Sequence, residues 1–163
     1  WGLRIEERHT TTAVNSPITV TDLTRGRDYS CTVAPVTKLG ALPVSQSAVV
    51  NVPLELPTPP VITATDYEDS EISITVSVSD NGGTSIIEYG ASCTDGQRIF
   101  DGTSSTPRIS VTGLTNGNSY TCTAWATNAV GTSSPSITTD PITPEEARSG
   151  LPIWLLYEAT QTP

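Results

Sequence analysis

Two stretches of this chain, LTRGRDYSCTVAPVTKLG (residues 23–40) and LTNGNSYTCTAWATNAVG (residues 114–131), carry Leu, Gly, Tyr, Cys and a final Gly at the same places. They stand 91 positions apart and need no gap. The register extends upstream, pairing Ile18 with Ile109 and Val20 with Val111. A period that long is a whole small domain, not a solenoid unit of about 20–50 residues. The chain therefore holds two copies of one fold, and 163 residues leave the first copy short. At this offset Cys93 aligns with Gly2, so the upstream copy matches over residues 16–50 only.

Between the copies lies VPLELPTPP, residues 52–60. Its four prolines cannot donate to a hydrogen-bond ladder and favour extended backbone, which reads as a short stiff linker. Downstream, VITATDY (61–67) and EISITVSVS (71–79) alternate apolar and polar residues with period 2, as half-buried strands do. DNGG (80–83) is a turn. SIIEYGASC (85–93), RIF (98–100), PRISVTGL (107–114), SYTCTAWATN (119–128) and SPSITTDPI (134–142) supply the remaining strands. Seven short strands with turns between them predict an antiparallel sandwich. The 12 Gly, 13 Pro and many Ser and Thr residues suit such an all-β chain.

Residues 58–143 resemble a fibronectin type III domain, particularly the variant common in bacterial extracellular proteins. The resemblance is carried by Pro59 and Pro60, by DNGGTSIIEY at the turn and third strand, by GLTNGNSY, and by TAWATNAVGTSSPS. It implies tandem immunoglobulin-like β-sandwiches, the first truncated: part of a domain over 1–51, a linker over 52–60, a complete domain over 58–143, and a tail over 144–163. The family usually places a Trp in the second strand. Val78 stands there instead, so smaller side chains should fill the core. A sandwich lacking three strands bares half its core, so residues 1–51 should need a covering segment.

The resemblance also assigns the repeated motif. Leu114 and Tyr120, like Leu23 and Tyr29, would form tyrosine corners, with Leu in the core and the Tyr hydroxyl bonded back to the preceding turn. The third and sixth strands are neighbours in this fold, and the parities of Tyr89-Ala91-Cys93 and Tyr120-Cys122-Ala124 both face inward. Cys93 and Cys122 then form a cross-strand disulfide, and the odd cysteine of the 3 is Cys31, at the site equivalent to Cys122. A disulfide implies a secreted, cell-surface or periplasmic location. Trp125 falls on the outer face of the sixth strand, where the upstream copy has Ala34. The fold does not require an aromatic there. Trp125 either contacts another protein or a glycan, or packs over neighbouring strand residues such as Arg98 or under the tail.

Other features read more plainly. The net charge of −9 disfavours nucleic acid and anionic membrane surfaces. No run approaches 18 apolar residues, so no membrane span is expected. The acidic cluster DYEDSE (66–71) lacks the spacing of a Ca²⁺ loop. The only His, His9, stands far from Cys93 and Cys122, so neither a metal site nor a cysteine nucleophile is expected, and no cofactor. RGRD (25–28) is not an Arg-Gly-Asp motif and reads as turn chemistry. TPEEARSG (143–150) reads as a one-turn helix with Thr143 as cap. LPIWLLYEAT (151–160) places five large apolar residues in one block that should dock on protein. The chain has no Met and begins at Trp1, as a portion of a longer polypeptide would.

The function expected from these readings is non-catalytic: a spacer or interaction module of a larger secreted or surface protein, with other domains of the same polypeptide as its first partners. The competing class is an adhesin-type or carbohydrate-contacting module using Trp125.

Overall fold

A computed structural model describes residues 9–146. Among them the upstream copy contributes β1 (Arg27–Cys31), β2 (Val36–Thr37), β3 (Gly40–Ala41) and β4 (Ala48–Val52). β1 pairs antiparallel with β4, placing Tyr29 opposite Val50 and Cys31 opposite Ala48. β2 and β3 form a short hairpin.

The downstream copy contributes β5 (Val61–Glu68), β6 (Glu71–Ser77), β7 (Ile86–Thr94), β8 (Ile99–Ser104), β9 (Arg108–Thr112) and β10 (Thr121–Asn128). They make two antiparallel three-stranded sheets, ordered β5-β6-β9 and β10-β7-β8. Period-2 patterning fixes which faces meet. Ile72, Ile74 and Val76 of β6, with Ile109 and Val111 of β9, are buried from one side. Ala91, Cys93, Cys122, Ala124 and Ala126 are buried from the other. Bulky branched residues on one sheet thus meet small ones on the other, with Tyr120 and Phe100 filling the remaining space edge to face at 5.7 Å. Each fully buried Ile or Val contributes about 1.5–3 kcal/mol. Val78, where the family usually carries Trp, borders an open cleft of about 460 Å³ that also touches Val76, Ile86, Tyr89 and Pro107.

The stretch expected as a seventh strand, 134–142, is not a regular one. It runs beside β10 with three residues for every two of the strand. Ser133, Ser136 and Thr139 donate their amides to the carbonyls of Ala126, Ala124 and Cys122. The hydroxyls of the same three residues accept the amides of Ala126, Ala124 and Cys122 at 2.9–3.1 Å. The hydroxyl oxygens thus stand in for strand carbonyls as acceptors of the β10 amides, and Pro135 and Pro141 have no amide to donate to a regular ladder. Residues 143–146 are in no helix, and the rest of the expected helix and the apolar block 151–160 lie outside the described residues.

Among the described residues, the upstream sheet shows what the same pattern does without an opposing layer. Ile109 and Val111 are fully buried, whereas their equivalents Ile18 and Val20 are 44% and 38% exposed. Val33, equivalent to buried Ala124, is half exposed.

Candidate functional site

The repeated motif is spent on scaffold. Tyr120, 1% exposed, accepts the amide of Thr115 at 3.0 Å, and Leu114 beside that turn is buried. In the upstream copy the Tyr29 hydroxyl accepts the amide of Thr24 at 2.7 Å, and Leu23 is half-buried. Cys93 and Cys122 are directly paired across β7 and β10, with Cα atoms 4.1 Å apart and their sulfurs bonded. Cys31 is a free thiol, half-buried on β1.

Trp125 lies on the outer face of β10 and is half-buried. Its register partner is Gly90 of β7, and the Nε1–Cε2–Cζ2 side of the indole occupies the space that a Gly90 side chain would need. The neighbour it covers is therefore Gly90, not Arg98. Around it on the same face stand Thr123, Thr127, Ser92, Glu88, Asp101 and Thr103, by strand register.

Sequence reasoning missed the junction between the two copies. Arg25, in the upstream turn before β1, reaches 55 residues along the chain and grips both carboxylate oxygens of Asp80, at 2.8 and 2.6 Å. Its other terminal nitrogen lies 2.9 Å from Glu55 of the linker. The linker is itself tied down. Glu55 donates its amide to Gly82 at 2.9 Å, and Thr58 donates its amide to Asp80 at 2.9 Å. The buried Asn128 at the end of β10 gives its amide group to the carbonyls of Glu55 and Asn81, at 2.8 Å each. Gly82 has φ +75°, and any side chain there would collide with the Glu55 carbonyl. Leu54 sits between Gly26 of the upstream turn and Gly83 of the downstream turn. The repeat offered one signal: Arg25 stands where the second copy has Asn116.

Electrostatics follow this geometry. The Asp80 carboxyl is held below its ordinary range, first by the Gly82 amide and then by the Arg25 guanidinium. The hydrogen bond to Asp80 raises Arg25. Asp95 is lowered by the amides of Arg98 and Gln97 in its own turn. Each of these groups serves a turn or the junction.

No known protein-family profile matches the chain. Among solved structures, domains A168–A170 of titin align over 63% of this chain and 37% of that one, at 23% identity and a TM-score of 0.52. Domains d3–d4 of the rat CD45 extracellular region align over 85% of this chain and 75% of that one, at 15% identity and a TM-score of 0.55. The fold is fibronectin type III/immunoglobulin-like. At these identities the shared property is the fold, and the chain spans about a third of the titin fragment. Within this fibronectin type III-like fold, the corners and the disulfide hold the strands, while the Arg25 junction and the Trp125 face are additions to it.

Proposed function

We propose that the chain is a non-catalytic structural module of a larger secreted or cell-surface protein. Residues 1–51 form the latter part of one domain, 52–60 a linker, 58–143 a complete domain and 144–163 a tail. The observation that carries this reading is the use of the repeated residues. The Tyr hydroxyls and the hydroxyls of Ser45 and Ser136 do the same scaffold work in both copies. The module's output is then a spacing and an orientation between the parts of the polypeptide on either side of it. The disulfide and the likeness to an extracellular region of CD45 support an extracytoplasmic location. On this reading the apolar face of the β1–β4 sheet is covered in the assembled protein.

The test is replacement. Exchanging residues 58–143 for an unrelated sandwich of equal length should preserve the parent protein's activity if the module is a spacer. Loss of activity despite correct folding would refute that role.

A second reading is favoured by Trp125, which keeps part of its ring exposed on a sheet face that also carries Ile99, 70% exposed. On this reading the face contacts another protein or a glycan. Trp125→Ala would then abolish retention on the partner protein or on a glycan array, with the melting transition retained. Unchanged retention would leave the spacer reading alone.

A further inference from the structure

The geometry points to a charge latch at the junction: Arg25 locks the upstream turn onto the Asp80–Gly83 turn, so that both copies move as one body. This holds whether the module serves as a spacer or as a binding surface.

Three independent features converge on it. Nη1 of Arg25 contacts both carboxylate oxygens of Asp80 and Nη2 contacts Glu55, so one guanidinium joins the upstream turn, the linker and the downstream turn by charge-assisted bonds. Both turns have glycine where they approach, Gly26 and Gly83, and Leu54 fills the gap between them. Linker amides are committed to the downstream turn, so the linker cannot swing freely while that turn is held. A bare proline-rich linker would give stiffness along its length and no fixed rotation about it. The Arg25 fork supplies the missing constraint.

The latch is electrostatic and partly solvent-exposed, with the Arg25 side chain 30% and the Asp80 side chain 43% accessible. Screening therefore weakens it, because the Debye length falls to about 3 Å at 1 M salt. The charged groups reaching Asp80 are Arg25 of the upstream turn and, through that guanidinium, Glu55 of the linker. The neighbour from β10 is the neutral Asn128, which bonds the adjoining carbonyl of Asn81. Since the Asp80 carboxyl is held below its ordinary range, the latch is fully present above that range. It is lost as pH falls through the lowered value, so it is closed at neutral pH and opens only in acid.

Backbone ¹⁵N relaxation on the whole chain tests the latch. In low salt at neutral pH, amides of β1 and β4 should report the same overall tumbling time as amides of β6 and β10. Arg25→Met removes the fork. Asp80→Asn removes the charge while keeping an oxygen for the Gly82 amide. Each variant, and 1 M NaCl with the unaltered chain, should abolish the shared value and shorten the tumbling time of β1 and β4. The β6 and β10 amide shifts should stay in place. A shared tumbling time that persists in both variants would overturn the latch, as would two separate times in the unaltered chain. If Arg25→Met unfolds the upstream sheet, Asp80→Asn decides, because it alters no upstream residue.

Discussion

The hydroxyl of Ser136 is the smallest group on which this fold visibly depends. It accepts the Ala124 amide at 2.9 Å and donates to the Ile137 carbonyl at 2.9 Å. Ser45 repeats the arrangement 91 residues earlier, accepting the Val33 amide at 3.0 Å and donating to Gln46. Ser136→Ala would strand a buried amide beside a fully buried Ala124, at a cost of about 1–3 kcal/mol. Urea unfolding of residues 58–143 should show it as a lower midpoint with unchanged slope; an unchanged midpoint would count against the bond. Gly90 is the second such residue. A valine there would displace the indole of Trp125, an overpacking error of about 1–3 kcal/mol. Trp125 is the only tryptophan of residues 58–143, so Gly90→Val should red-shift its emission. Tyr120 was legible from the sequence because its partner Thr115 lies five residues away in the same turn. Gly90 was not, since only the β7–β10 register brings it under Trp125.

At the scale of elements, the instructive failure is the segment after β10. Its Ser-rich run looks like one more strand, because small polar residues alternate with anything. The informative spacing is three, not two: Ser133, Ser136 and Thr139, with Pro135 between the first two and Pro141 after the last. In the upstream copy the equivalent of residues 139–143 is β4, five residues long with no proline, which pairs regularly with β1, while Ser45 ahead of it keeps the hydroxyl contact of Ser136. Val50 of β4 stands where the downstream copy has Pro141, whose missing amide interrupts a regular ladder there. The disulfide acts on the next larger element, the β7–β10 pair, closing a loop over a separation of 29 residues. Constraining the unfolded chain that much contributes roughly 3–4 kcal/mol. Replacing Cys93 and Cys122 together by alanine should lower the unfolding free energy of residues 58–143 by that order. Alkylation of the unreduced whole chain should label one thiol, Cys31, and three after denaturing reduction. Two or three labels before reduction would contradict the bond.

At the scale of the whole molecule, the 91-residue repeat makes the two copies look equivalent, and packing makes them unequal. The downstream copy brings two three-stranded sheets face to face and buries Leu114, Tyr120, Cys122, Ala124 and Ala126 of the repeated stretch. The upstream copy has the motif and its corner, but the described residues place no second layer on it. Repeat register was legible because it is a property of one dimension. The junction was not, because Arg25 and Asp80 are 55 residues apart and Arg25 is one of the positions at which the two copies differ. A two-stranded pair is marginal in water, and three or more strands with a buried face are needed for independent stability. Residues 58–143 alone should therefore unfold in a single cooperative transition with a sharp near-ultraviolet signal from Tyr120 and Trp125. Residues 1–51 alone should show neither, because Ile18, Val20 and Val33 remain 38–51% exposed and contribute little burial. Calorimetry on the two pieces separates the cases: an independent transition in 1–51 would mean that the upstream sheet finds its own cover, and that its bared face is not a surface awaiting one.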